Sequence, residues 1–151
     1  MNDVEGDLIE LALNGEFDVI VHGCNCFCTM GAGLAKAIKF EFPEAYQADL
    51  ETEKGSEDKL GKYSQVTVQR GNHKITILNA YTQFHWRGRG VKADYNAIKE
   101  VFSNIKTEFC GKRIGYPLIG AGLAGGDWNI ISEIIDSKLM GERHTLVRFE
   151  K

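Results

Sequence analysis

The chain has 151 residues, 43% of them hydrophobic and 26% charged, with a formal net charge of −3 and a pI near 5.8. That length supports one domain with a full core and is short for two, while the mild acidity excludes a global attraction to nucleic acid or an anionic membrane, so any anion must be held locally. The opening MNDVEGDLIELALNGEF is acidic and lacks a basic segment followed by an apolar run, and no stretch is long enough to span a bilayer; a cytoplasmic, monomeric protein without membrane association is expected.

In chain order, Asn2 to Gly6 predicts a short edge strand. Asp7 then stands where a helix N-cap would, before the apolar face of Leu8, Ile9, Leu11, Ala12 and Leu13. A carboxylate there also suits the exocyclic amine of a ligand base, and composition does not choose between the two. Asp18 to Val21 predicts a strand, Met30 to Gly33 a glycine-rich turn, and Leu34, Ala35, Ala37, Ile38 and Phe42 the buried stripe of a helix. A second helix starts at Pro43, and Gly55 to Gly61 reads as a polar surface loop.

Two strands, Lys62 to Gln69 and Lys74 to Ala80, flank a hairpin-like turn. They lead into the run Tyr81 to Trp86 and the cationic run Arg87 to Lys92, which reads either as a solvated loop or as a flap over an anionic ligand, with His85, Arg87 and Arg89 within reach of it. Asp94 caps a long helix that Gly111 ends. Ile114 to Ile119 is a strand followed by Gly120, Ala121, Gly122, Leu123, Ala124, Gly125 and Gly126. Asp127 opens a helix through Lys138, and Thr145 to Phe149 is the last strand. Strands alternate with helices throughout, which predicts an α/β fold: a three-layer α/β/α sandwich with a mixed, largely parallel central sheet, in a single domain over residues 1–151.

Two glycine loops therefore follow strands. The first opens directly into a helix, whose unpaired N–H groups and dipole favour a phosphate. Facing each other, the two loops suit a diphosphate. Gly31-Ala32-Gly33 has neither the Gly-Lys-Ser/Thr of a nucleoside-triphosphate loop nor the third glycine of a dinucleotide fingerprint. Cys24, Cys26 and Cys28 at alternate positions, with His22, His73, His85 and His144, fit no zinc spacing, so reduced thiols and no metal or other cofactor are expected; a thiol beside an anion-binding helix start would also have a lowered pKa.

The runs Gly6-Asp7, Asp18 to Asn25, Met30 to Ala35 and Pro117 to Leu123, in this order and spacing, resemble the macro domain family of ADP-ribose-binding proteins across nearly the whole chain. The resemblance implies that Asp7, with Leu8 beside it, meets the adenine amine and that Asn25 holds the distal ribose. It implies that Met30, Gly31, Ala32, Gly33 and Leu34, together with Ile119, Gly120, Ala121, Gly122, Leu123 and Ala124, wrap the diphosphate and distal ribose, and that Phe149 lies against the adenine. The acids that some hydrolytic branches carry are replaced by Ala35 and Ala124. The His-x-Cys-Asn run at His22 to Asn25 is similar to that of compact members that remove the terminal phosphate of ADP-ribose 1″-phosphate. A reader without chemistry, or a hydrolase freeing ADP-ribose from protein or nucleic acid, are the alternatives.

For the phosphatase, metal-independent hydrolysis is expected, with His22 as base or nucleophile and Asp94 and Asp127 orienting water or protonating the leaving oxygen. His22 also fits a packed core histidine, and both aspartates also fit plain helix caps. The expected partner is ADP-ribose or ADP-ribose 1″-phosphate, with ADP-ribosylated macromolecules as further partners.

Overall fold

The computed structural model describes residues 1–86 and 90–149, so Arg87 and Arg89 of the expected flap lie outside the described residues. The elements are β1 (Asn2–Gly6), α1 (Leu8–Leu13), β2 (Val19–Cys24), α2 (Gly33–Glu41), α3 (Pro43–Leu50), a 3-10 turn (Glu57–Lys59), β3 (Tyr63–Arg70), β4 (His73–Tyr81), α4 (Tyr95–Glu108), β5 (Arg113–Tyr116), α5 (Trp128–Lys138) and β6 (Arg143–Phe149). They form one six-stranded sheet in the order β1-β6-β5-β2-β4-β3. Only the β3–β4 pair is antiparallel.

Each face of the sheet buries its own core, because β2, β4 and β5 are apolar on both sides. Val19, Val21, Leu78, Ala80, Ile114, Tyr116 and Leu146 face α4 and α5, whose stripes supply Ile98, Val101, Phe102, Ile105, Ile131 and Ile135. Ile20, Ile75, Ile77, Val68 and Val147 face α1, α2 and α3, which supply Leu8, Ala12, Ile38, Phe42 and Ala45. The three-layer sandwich predicted from the alternation is thus the observed fold. Continuous burial, as opposed to alternation, is what a strand covered on both faces requires.

Local chemistry sets the boundaries. Asp7 Oδ1 accepts from the N–H groups of Ile9 and Glu10, Asp94 Oδ1 from Ala97, and Asp127 Oδ1 from Asn129, so all three aspartates cap helices. Strand boundaries shift from the sequence reading at several ends, most at the carboxyl ends of β2 and β5. β2 runs on to Cys24, since His22 and Cys24 are as buried as the residues before them, and β5 stops at Tyr116, where Pro117 has no N–H to continue the ladder. At the opposite ends of these strands Arg113 donates to both Asp18 oxygens and to Gly15 O, clamping β2 against β5; the guanidinium holds the Asp18 carboxyl below its usual range.

Candidate functional site

Because β1, β6, β5, β2 and β4 are mutually parallel, their carboxyl ends share one edge of the sheet. Everything leaving that edge is drawn together. Asp7 follows β1, Phe149 ends β6, residues 117–127 follow β5, residues 25–32 follow β2, and residues 82–94 follow β4. Gly6, which precedes Asp7, is paired with Phe149, and Phe149 is exposed. Ligands of parallel sheets bind at this edge.

The loop after β2 is ordered from within. Asn25 Oδ1 accepts the N–H of Phe27 at 2.8 Å and its Nδ2 donates to Thr29 Oγ1 at 2.7 Å, an Asx-type turn. Met30 turns its side chain into the core, whereas Gly31, Ala32 and Gly33 are exposed and Leu34 half-buried, so this stretch presents mainly backbone. α2 begins at Gly33 with Ala32 at its N-cap and no side-chain capping bond. Its first N–H groups are thus without the cap that the aspartates give α1, α4 and α5, which leaves them for an anion.

In the loop after β5, Ile119 and Ala124 pack inward, Gly120 and Ala121 are half-buried, and Gly122 and Leu123 are exposed. A Cβ on Gly126 would sit 2.5 Å from Gly120 O, and Gly120 itself has φ +74°, so glycine is required at both. Ala124 O accepts the N–H groups of Lys92 and Ala93, which brings the segment before α4 against this loop. The two glycine loops meet: a Cβ on Gly33 would lie 3.4 Å from Leu123 Cδ1.

The expected catalytic residues separate. Asp94 and Asp127 stay at the edge, each using Oδ1 as a cap; the Asp94 N–H donates to Thr82 O, and the Asp127 N–H to the hydroxyl of Tyr95. His22 does not join them. It faces the α3 layer, is 1% exposed, and its Nε2 donates to Asn79 Oδ1 at 2.7 Å. Asn79 is fixed in that orientation because its Nδ2 donates to Ala45 O and Ser64 Oγ. Burial pulls the His22 pKa down to about 4, against the pull of the Asn79 hydrogen bond. The reading of His22 as base or nucleophile is therefore corrected, since successive residues of a strand point to opposite faces and this one points into the protein. The Leu8 side chain is likewise core, which leaves only its backbone at the edge.

The cysteines are free, and burial pushes the thiol of Cys24 well up and that of Cys26 up to about 11, the reverse of what a reactive thiol needs. Among the described residues no group of three or more His, Cys, Asp or Glu side chains is placed to hold a metal.

Two features escaped the sequence reading. Phe27 gathers Phe84, His85 and Trp86 into an aromatic cluster, with His85 stacked on Trp86 at 4.2 Å, so the stretch after β4 packs against the first loop. The paired aromatics at Phe84 to Trp86 were visible in the sequence, but their partner was not. Lys59, in the stretch expected to be a surface loop, is buried beneath that same loop. A cleft of about 400 Å³ lined by Phe17, Asp18, His73, Lys74 and Arg113 lies at the opposite edge of the sheet, away from both glycine loops.

Residues 21–135 match the model of the Macro domain. An uncharacterised 17.5 kDa protein from the tk-vs intergenic region of Enterobacteria phage T4 is 37% identical over 139 residues, spanning 89% of this chain and 86% of that protein. A Thermosipho africanus fusion protein named DNA ADP-ribosyl transferase-DNA ADP-ribosyl glycohydrolase is 26% identical over 148 residues, which cover 87% of this chain but 37% of the fusion. The solved structure of Thermosipho africanus DarTG in complex with ADP-ribose superposes with a TM-score of 0.70 at 21% identity, over 99% of this chain and 42% of that one.

Proposed function

Since the chain belongs to the macro domain family, we propose that it binds ADP-ribose along the carboxyl edge of its sheet and hydrolyses a bond at the distal ribose, releasing the terminal phosphate of ADP-ribose 1″-phosphate. The observation that carries this reading is the meeting of the two glycine loops over the adjacent strands β2 and β5, with Gly33 against Leu123. One and two strands further along, Phe149 and Asp7 follow on the same edge. The order along the edge suits adenine at Asp7 and Phe149, diphosphate at residues 31–34 and 120–124, and the distal ribose toward Asn25 and the segment before α4.

In that arrangement the exposed backbone N–H groups around Gly31 to Gly33 and the uncapped start of α2 stabilise phosphoryl oxygens. Hydrolysis adds water to the terminal phosphorus and breaks its bond to the ribose oxygen, yielding inorganic phosphate and ADP-ribose. With His22 in the core, Asp94 and Asp127 are the residues offered for orienting that water and protonating the leaving oxygen; Oδ1 of each is occupied by a cap bond, so Oδ2 is the working atom.

A second reading, release of ADP-ribose from a nucleic acid, is favoured by the Thermosipho africanus relative, whose name includes DNA ADP-ribosyl glycohydrolase activity. Calorimetric titration with ADP-ribose, beside assays on ADP-ribose 1″-phosphate and on an ADP-ribosylated oligonucleotide, tests both. Binding with phosphate release is the expected result. Binding with release of ADP-ribose from the oligonucleotide alone selects the second reading, and binding without either leaves a reader, which Ala35 and Ala124 in place of acids would suit. Absence of binding would overturn the proposal.

A further inference from the structure

The stretch between α3 and β3 carries a lysine into the interior. Lys59 is 7% exposed, its Nζ lies 4.5 Å from the centre of the Tyr81 ring, and it donates to Cys26 O at 3.0 Å and to Cys28 Sγ at 3.5 Å. Cys26 O also accepts the N–H of Gly55 at 2.7 Å. Both lysine partners belong to the loop after β2, immediately before the exposed glycines.

That loop is bent at a cost. Cys28 has φ +58° and Met30 φ +41°, the only non-glycine residues with positive φ among those described. Each such residue is strained, and the conformation persists only where its surroundings over-determine it. The ties on this stretch include the Asn25 turn, the Gly55 N–H on Cys26 O, the Cys26 N–H on Phe84 O, the Tyr46 hydroxyl donating to Cys28 O at 3.3 Å, the Cys28 thiol donating to Asp49 O at 3.2 Å, and Lys59. Of these, Lys59 alone brings a charge.

Its two acceptors, a carbonyl and a thiol, are neutral. Asp49, 1% exposed in the same interior, gives Oδ1 to the Tyr81 hydroxyl and leaves Oδ2 without a partner. An ammonium held against neutral groups in the interior is expensive unless an anion answers it. The anion that answers it is the buried Asp49 carboxylate, which attracts Lys59 electrostatically and shares Tyr81 with it, so the pair closes the underside of the loop.

We propose that Lys59 is a positioning residue for the first phosphate loop: from beneath, it holds Cys26 to Met30 in the strained bend that aims the glycines outward. This rests on the ADP-ribose reading for its ligand, but the bend itself is independent of it. Lys59 touches no ligand.

The test uses Lys59→Met, which keeps the length of the side chain and removes the charge and both hydrogen bonds, beside Lys59→Arg, which keeps the charge. Each is titrated with ADP-ribose and with AMP, and amide hydrogen exchange is followed in the free proteins. Lys59→Met should lose roughly tenfold or more in ADP-ribose affinity, the scale of one charge-assisted hydrogen bond, while AMP affinity changes by less than about twofold. Exchange should accelerate in residues 24–33 and not in β4, β5 or α4. Lys59→Arg should recover part of the ADP-ribose affinity.

Equal loss for AMP and ADP-ribose, or unchanged exchange in residues 24–33, would overturn the proposal. If the wild-type protein binds no ADP-ribose, the functional reading fails while the exchange result still decides the role of Lys59 in the bend. Should Lys59→Met be too unstable to titrate, Lys59→Arg and Lys59→Gln carry the same comparison.

Discussion

His22 Nε2 and Asn79 Oδ1 lie 2.7 Å apart on neighbouring strands, inside the protein. This pair fixes the neutral tautomer and removes His22 from the ligand edge. Since its folded pKa, about 4, is below the usual value of 6.5, the stabilising contribution is complete above pH 6.5 and is lost as pH falls toward 4, when the unfolded chain takes up a proton that the folded one refuses. Urea unfolding at pH 7.5 and pH 5 should show the wild type losing roughly 2 kcal/mol more than His22→Gln over that interval. An identical pH dependence of the two proteins would contradict the burial argument.

Gly33 is held to glycine by φ +57°, and a Cβ there would come into contact with Leu123 of the second loop. Gly33→Val should abolish measurable ADP-ribose binding by closing the gap between the loops, with a stability cost of about 1–2 kcal/mol for a branched residue in the left-handed region. Calorimetry and thermal unfolding on one preparation separate the two effects, and undiminished affinity would remove the first loop from the site.

Asn25→Ala deletes both bonds that close its turn. The fold should survive, because the β2 ladder ends before it, while ADP-ribose affinity should drop by about tenfold, near the worth of a hydrogen bond lost from a preorganised loop. Equal binding would show that the turn does not prepare the ribose site.

Asp94 and Asp127 have a structural role that an amide can also fill. Asp94→Asn and Asp127→Asn should keep stability within about 0.5 kcal/mol of wild type, because asparagine caps helices as well as aspartate. Alanine at either position should cost about 1 kcal/mol. Turnover of ADP-ribose 1″-phosphate should fall by at least roughly 100-fold in whichever asparagine variant removes the acid–base group. Full activity in both would leave the aspartates as caps alone.

What was legible in the sequence was whatever local chemistry decides. The caps at Asp7, Asp94 and Asp127, the glycine turns and most of each helix stripe depend on residues within a turn or two of one another and are found where the pattern predicted; Ala37, expected in the buried stripe of α2, is exposed. His22 was not legible, because the same strand pattern fits a histidine at the ligand edge or in the core. Only its pairing with Asn79, set by the β2–β4 register, decides which face it takes. Lys59 was hidden more deeply. A lysine among Glu57, Asp58 and two glycines reads as surface, and its partners are a carbonyl and a thiol of a loop more than thirty residues earlier. Phe27 and its aromatic neighbours after β4 are long-range partners of the same kind.

β6 is inserted between β1 and β5, with Thr145 opposite Asn2 and Phe149 opposite Gly6. Nearly the whole chain must therefore be synthesised before the first strand has a neighbour. During translation the two glycine loops, carried by β2 and β5, can come together well ahead of the end that bears Asp7 and Phe149, which waits for the last strand to slide into its slot. Pairing across such a sequence separation is slow to nucleate, so a folding intermediate built on β2 to β5 would have half of the cleft assembled and the strand of its opening residues still unpaired.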